Sequence, residues 1–241
     1  MNRVLESAQK GWQGARANLI PGLAIIFVAA LLVKSYYSFA SVRAALVGLQ
    51  DLRNSWGLGF TMLSSAIGAG VIPGLYLMAV RKARRDARGF LDLLFTSFVW
   101  ATNMIWVHYF YIFQDSFWGS DATLKIIVSK MLLDQFIFTP FLSIQHAAIG
   151  FRFRVLNYDF KMLTRAFRDD WTIKVIIPML VNCWLTWIPG TMVIYSMPLA
   201  LQIPMLVLIQ LFFALEMAFV SSRMDAPAPA PASNADLRRS P

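Results

Sequence analysis

The chain has 241 residues, of which 58% are hydrophobic and only 15% are charged, and it carries a formal net charge of +9. This composition lies outside the range of soluble globular domains and predicts an all-α, polytopic integral membrane protein. A strongly basic soluble chain could bind nucleic acid, but here the Lys and Arg residues fall mainly in short segments between apolar runs. That distribution is typical of membrane topology, so the lipid bilayer is the expected partner and nucleic acid is not.

Few residues in the sequence are suited to enzyme or metal chemistry. The only cysteine, Cys183, lies inside an apolar segment, and the two histidines lie on different segments, so neither a disulfide framework nor a metal site is expected. HExxH, GxSxG and GxxxxGK motifs do not occur. Acid catalysis generally needs two carboxyl groups close together, and Asp92 and Glu216 lie near the ends of their spans, away from Asp134. We therefore expect no enzyme activity, no catalytic residue and no cofactor.

The first 56 residues contain one candidate span and two candidate surface segments. Residues 1–18 carry three basic residues among apolar ones, which suits either a short cytoplasmic or interfacial helix or a frayed tail. Residues 19–39 form the first candidate span. A secretory signal is the alternative, but the long leader and the lack of a clear small-x-small cleavage site favour a retained helix. Residues 41–56 are weakly amphipathic and are predicted to lie in the membrane interface.

The second candidate span, residues 57–80, has a face of small residues. Ala66, Gly70 and Gly74 recur every four residues, and such residues let another helix approach closely. That helix belongs either to the same chain or to a second copy in a homo-oligomer. Five Lys and Arg residues follow at 81–88. Basic clusters beside a span usually mark the cytoplasmic side and can contact anionic lipid head groups.

The fourth candidate span, residues 124–151, carries an aspartate near the bilayer midplane. Asp134 lies about ten residues from the start of this span, where a carboxylate costs roughly 2.5–3.5 kcal/mol on insertion scales. It must therefore face protein or water, find a partner or take up a proton. Lys130 lies one helical turn earlier, on a neighbouring position of the same face. The face of this helix either lines a watered path or joins the helix to its neighbours by hydrogen bonds.

Three further spans are predicted at residues 90–113, 172–195 and 199–222, and Pro178 and Pro189 interrupt the second of these. Polar groups at membrane depth are functional candidates because apolar residues would be cheaper there. The candidates that either line a pore or join helices are His108, Lys130, Asp134, Gln135, Thr139, His146 and Glu216.

The chain divides into a leader at 1–18, a transmembrane helix bundle at 19–222 and a tail at 223–241. The Ala-Pro repeats of the tail cannot bury a core, so the tail is predicted to be disordered. The excess of Arg over Lys and this tail are typical of a GC-rich genome. They favour a bacterial inner membrane, the alternative being a mitochondrial or peroxisomal membrane.

Basic residues alternate between the connections. The leader and the tail have three Lys and Arg each and the connections at 81–88 and 151–171 have five each, whereas those at 114–122 and 191–198 have none. This pattern predicts six spans, with both termini on the cytoplasmic or matrix side.

Two motifs resemble those of a known family. Asp134-Gln135, followed by Phe138 and Pro140, resembles the DQxxFxP signature of the 22 kDa peroxisomal membrane protein family, the Mpv-type small integral membrane proteins. His108, Phe110 and Tyr111 resemble the HxWY element of that family, and Pro178 and Pro189 match its paired prolines in spacing. Other family positions differ: Ile177, Val181 and Trp184-Leu185 replace a Trp, a Gln and an Asn-Phe pair, which is the pattern of a distant member. The resemblance covers roughly residues 57–222 and implies membrane embedding and a small, weakly selective pore.

Two functions from different classes follow from these features. The first is a small, weakly selective channel or permeability protein for small solutes or ions, with the polar residues on interior faces. The second is a non-transporting membrane scaffold or assembly protein, in which the same residues join helices.

Overall fold

The computed structural model describes residues 19–80, 83–119, 123–195 and 197–223, together with Leu5, Gln9, Trp12 and Arg16. Within these ranges every regular element is helical and no strand occurs, which confirms the predicted all-α class. The leader at 1–18 lies largely outside the described residues, and so does the tail beyond Arg223. The proposals of a surface helix and of a disordered tail stay predictions.

Eight helices lie within the described ranges, and five of them are long and apolar enough to cross a membrane. In chain order the eight are α1 (Leu19–Ser38), α2 (Ala40–Trp56), α3 (Leu58–Ala79), α4 (Ala87–Trp118), α5 (Leu124–Val155), α6 (Phe160–Arg168), α7 (Thr172–Ile194) and α8 (Leu199–Arg223). The five membrane-length helices are α3, α4, α5, α7 and, in its segment Ala200–Met217, α8. The predicted second to sixth spans therefore each correspond to one helix.

The predicted first span is one arm of a bent pair. Helices α1 and α2 meet at an angle of 107°, and together they would make a sixth crossing. The last carbonyl groups of a helix have no intrahelical partner, and here the Arg43 guanidinium donates to the carbonyl oxygens of Tyr36 and Tyr37, both at 3.2 Å. Arg43 also lies over the Tyr36 ring, 5.6 Å from its centroid. The predicted interfacial segment is thus a separate helix, α2, which is hydrogen-bonded to the end of α1 through Arg43.

Three of the membrane-length helices contain a π-helical stretch that either includes a proline or ends two residues before one. The stretches are Ala66–Val71 in α3, Asp134–Ser143 in α5 and Thr172–Ile176 in α7. A proline has no N–H, and its ring clashes with the carbonyl four residues earlier in an α-helix. A wider turn, in which hydrogen bonds run to the fifth residue, relieves this clash at Pro73, Pro140 and Pro178. Helix α7 continues through Pro178 and Pro189, so the interruption expected there does not occur.

The small-residue face of α3 packs on α4 of the same chain. A Cβ atom added at Gly70 would lie 2.4 Å from the Ser97 Cα, and one at Gly74 would lie 3.0 Å from the Leu93 side chain. The expected close helix approach is therefore made within the chain. The homo-oligomer expected through Ala66, Gly70 and Gly74 stays a prediction.

The main core lies among α4, α5, α7 and α8. The Trp100 ring packs edge to face on the rings of Phe151 and Phe213, with centroids 5.7 and 5.8 Å apart. Gly150 of α5 lies so close to Val99 of α4 that an added Cβ would come within 2.6 Å of a Val99 methyl group. Such contacts stabilise a membrane bundle through packing, because lipid tails give helices no hydrophobic reason to associate.

The two basic connections lie side by side at one end of the bundle. Arg88 donates to the Asn157 side chain at 3.1 Å and lies 4.4 Å from the centroid of the Tyr158 ring. The Tyr158 hydroxyl donates to Asp92 at 2.7 Å, and burial together with this carboxylate raises the pKa of Tyr158 above its usual value. The connections at 83–86 and 156–159 are therefore on the same side of the bundle, as the distribution of Lys and Arg predicts.

Candidate functional site

Polar side chains from α4, α5 and α8 surround a small cavity in the core. The cavity has a volume of about 60 Å³ and is otherwise lined by apolar residues of these helices and of α7. Its polar lining residues are Asn103, Tyr111, Asp134, Gln135, Thr139, Ser143 and Gln210. Three of the seven residues predicted from sequence, Asp134, Gln135 and Thr139, therefore lie together at this site.

The π-helical stretch of α5 positions the Asp134 carboxylate. In a helix whose hydrogen bonds span five residues, residue i and residue i+5 lie on the same face. The Thr139 hydroxyl accordingly donates to Asp134 Oδ1 at 3.1 Å, and the Tyr111 hydroxyl of α4 donates to Oδ2 at 3.3 Å. Asp134 is 6% exposed. Both carboxylate oxygens thus have neutral donors inside the bundle.

Lys130 is not the partner of Asp134, contrary to expectation. Its ammonium group forms an ion pair with Asp115 near the end of α4, and its backbone carbonyl accepts a hydrogen bond from Gln114 at 2.9 Å. A Lys placed four residues before an Asp is in the less favourable order for a helical pair. The Asp115 carboxylate is nearer the end of the bundle, so the ammonium group of Lys130 keeps contact with water. Lys130 therefore lies outside the polar cavity.

Several buried polar atoms at the cavity have no protein partner among the described residues. They are Gln135 Oε1, Gln210 Oε1 and Trp100 Nε1. A buried polar atom without a hydrogen bond costs about 1–3 kcal/mol, so such atoms are normally bonded to water. A water molecule needs roughly 10–15 Å³ of such space, so the cavity has room for water. The chemistry of the lining therefore suits a hydrated centre.

Glu216 forms a second buried acidic group, apart from the cavity. It is 0% exposed, although it was expected near the end of a span, and its Oε2 accepts from Asn182 at 3.1 Å and from Thr186 at 2.5 Å. Its Oε1 has no partner within the described residues. Glu216 and Thr186 are among the residues that line an apolar groove of about 780 Å³ between α1, α7 and α8.

Neither histidine lines the cavity. His146 is half-buried beside α4, where its ring nitrogens lie 3.0 Å from the Thr102 hydroxyl and 3.4 Å from Trp106 Nε1. His108 is half-buried and its ring contacts that of Tyr109. Across the described ranges, no group of three or more His, Cys, Asp or Glu side chains is placed to hold a metal ion.

The sequence predictions missed Asn103, Asn182 and Thr186. Asn103 and Ser143 exchange hydrogen bonds between α4 and α5, at 2.9 and 3.0 Å. The signal that singled out Asp134, a polar group deep in an apolar run, also applies to both asparagines. Their partners depend on which helices are neighbours, and the sequence does not contain that information in a readable form.

Comparisons of the chain with models of known families, with curated proteins and with solved structures found no match. The class of the protein therefore follows from its own helices. It is an all-α integral membrane protein, and its core contains a polar cavity at Asp134. The resemblance to the 22 kDa peroxisomal membrane protein family stays a prediction.

Proposed function

We propose that this protein is a small, weakly selective channel or permeability protein for small solutes or ions, and that its described form is closed. The observation that carries the proposal is the polar cavity around Asp134 in the middle of the membrane-length helices. The cavity is too small for a continuous path, so permeation requires α4, α5, α7 and α8 to separate at this point.

The free-energy cost of polar groups at this depth suggests that the cavity has a function. An apolar core would be cheaper at this depth, yet the site combines a carboxylate with amide oxygens that have no donor among the described residues. Acceptor oxygens facing a cavity can replace the water around a cation, and a carboxylate sets the field that an ion meets. The donors to Asp134 are neutral hydroxyl groups, so its charge is not cancelled by a described cation. The site therefore favours cations over anions.

A non-transporting scaffold is the second candidate, and the apolar groove between α1, α7 and α8 favours it. The groove has a volume of about 780 Å³, and apolar side chains such as Ile26, Val193 and Phe212 line it. An apolar surface of this shape suits a helix of another membrane protein. In this reading the polar centre joins α4 to α5 and α8, and no solute passes.

The topology belongs to the same proposal. We propose that both basic connections and the two termini lie on the cytoplasmic or matrix side, because loops rich in Lys and Arg are retained on that side. With five crossings from α3 to α8, the C-terminus lies on the basic side. The N-terminus joins it only if α1 also crosses. A bacterial inner membrane is the proposed location.

Flux through liposomes containing the purified protein tests the two candidates. Asp134→Asn keeps the shape of the side chain and removes its charge. The channel proposal predicts a folded variant with altered conductance and reduced cation preference. The control is Asp115→Asn, which makes the same chemical change at an exposed site outside the cavity and should leave cation preference unchanged.

Three outcomes bear on the two candidates. Wild-type protein that is folded but passes no solute over a range of voltages and pH values would exclude the channel proposal. Equal changes in Asp134→Asn and Asp115→Asn would show that the cavity does not set the preference. A change in melting temperature without a change in flux would favour the scaffold.

A further inference from the structure

The short helix α6 separates its apolar and basic residues onto two faces. Phe160, Leu163 and Phe167 are spaced to lie on one face of the helix. Lys161, Arg165 and Arg168 are four and three residues apart and lie together on another face. The helix itself contains no acidic residue.

The apolar face of α6 is only partly covered by protein. Leu163 is buried, whereas Phe160 is 70% exposed and Phe167 is 43% exposed. Each phenyl ring is held in place by an aromatic neighbour, Phe160 by Phe153 at 4.5 Å and Phe167 by Trp171 at 4.3 Å. Exposed rings held along one edge of a helix mark a contact surface.

The three basic side chains of α6 are exposed and form no ion pair with any described residue. Nearby acidic groups have other partners. Asp159 accepts from two backbone N–H groups at the start of α6, at 2.7 and 3.1 Å, and Asp169 pairs with Lys174 at 2.8 Å. The positive charge of α6 is therefore available to an outside anion.

The position of α6 in the chain identifies that anion. The helix joins the end of α5 to the start of α7, both of membrane length, so it lies at the level of the lipid head groups. Its side of the bundle also carries the basic connection after α3, through the contact of Arg88 with Asn157. A helix with aromatic residues on one face and basic residues on another lies in the interface, with the rings at the boundary of the acyl chains.

We propose that α6 binds anionic phospholipids of the leaflet on the basic side. Phe160 and Phe167 enter the boundary between head groups and acyl chains, and Lys161, Arg165 and Arg168 contact the lipid phosphates. This contact lies outside the polar cavity and does not depend on a channel function. It gives the protein a preference for one lipid class on one side of the membrane.

The test measures the melting temperature of the purified full-length chain in neutral detergent while phosphatidylglycerol is added, with phosphatidylcholine as the neutral reference. A lipid that binds only the folded state raises the melting temperature as it saturates its site. Each Lys or Arg near an anionic surface contributes roughly fivefold in affinity, so three contribute on the order of a hundredfold. The triple variant K161Q/R165Q/R168Q should raise the half-saturating phosphatidylglycerol concentration by that factor.

The matched control is K34Q/R53Q/K125Q, which removes the same charge from α1, α2 and α5 and should keep the wild-type response. If the triple variant does not fold, R165Q alone replaces it, with a roughly fivefold effect expected. The proposal is wrong if the α6 variant responds like the wild type, or if the control loses the response equally. It is also wrong if inorganic phosphate alone reproduces the rise, because the surface would then bind free phosphate, or if phosphatidylcholine gives the same rise.

Discussion

The contact between α3 and α4 at Gly70 allows a direct test of the packing. Here Gly70 of α3 lies directly against the Cα and the short side chain of Ser97 in α4. In Gly70→Ala, the added methyl group would lie 2.4 Å from both the Cα and the Oγ of Ser97. Carbon atoms pack at about 3.5–4.0 Å, so the helices must separate locally by about 1 Å or more. A backbone atom cannot rotate away as a flexible side chain can.

The size of the effect follows from two opposing contributions. Overpacking of this kind costs about 1–3 kcal/mol, and the gain from replacing Gly by Ala in a helix offsets up to about 1 kcal/mol of it. The approach of 2.4 Å to a backbone atom puts the cost in the upper half of that range, so a net loss of about 1–2 kcal/mol in the free energy of unfolding should remain. For a chain of this size, that loss lowers the melting temperature by roughly 2–8 °C.

Thermal unfolding of the purified protein in detergent, followed by circular dichroism, measures the change. The control is Gly48→Ala in α2, where an added Cβ meets nothing within 4 Å, so this variant should be unchanged or slightly more stable. If Gly70→Ala melts at or above the wild-type temperature while Gly48→Ala behaves as expected, then α3 and α4 do not pack as described.

Two other substitutions test polar contacts. Thr186→Val removes a donor to the buried Glu216 carboxylate and should cost about 1–3 kcal/mol, measured as a lower melting temperature; unchanged stability would mean that this hydrogen bond contributes nothing. Tyr158→Phe tests a pH effect: because the pKa of Tyr158 is raised in the fold, the unfolded chain loses this proton first above about pH 10 and wild-type stability falls there, whereas the variant should show a shallower fall in melting temperature between pH 9 and pH 11. Equal pH profiles for the two proteins would contradict the raised pKa.

The class of the protein and the positions of its long helices could be predicted from the sequence alone. A helix must be about 20 apolar residues long to cross the bilayer, and every backbone group in lipid must be bonded within the helix. Both requirements act along a single stretch of chain, so the apolar runs matched α3, α4, α5, α7 and α8. The small face of α3 was also evident, since a row of small residues predicts close approach whatever the partner is.

The partners of the polar groups were decided only by the tertiary structure. The sequence placed Lys130 beside Asp134 by α-helical spacing. The carboxylate is instead bonded to Thr139, which the π-helical stretch beginning at Asp134 brings to the same face. Lys130 meets Asp115 because α4 and α5 are neighbours at that end. A one-residue change in helical repeat rotates every later side chain, so spacing alone could not give these contacts.

The same physical reason explains the burial of Glu216 and the contact of α4 with the small residues of α3. Glu216 is fully buried because α7 presents Asn182 and Thr186 to it, and the sequence does not show which helix lies opposite. Gly70 lies against Ser97 because α4 returns along α3, and the sequence does not show which helix packs on the small residues. The sequence by itself determined which stretches enter the membrane, since that depends on local apolarity and length. The rotation and order of the helices, which depend on all their contacts at once, decided which groups meet.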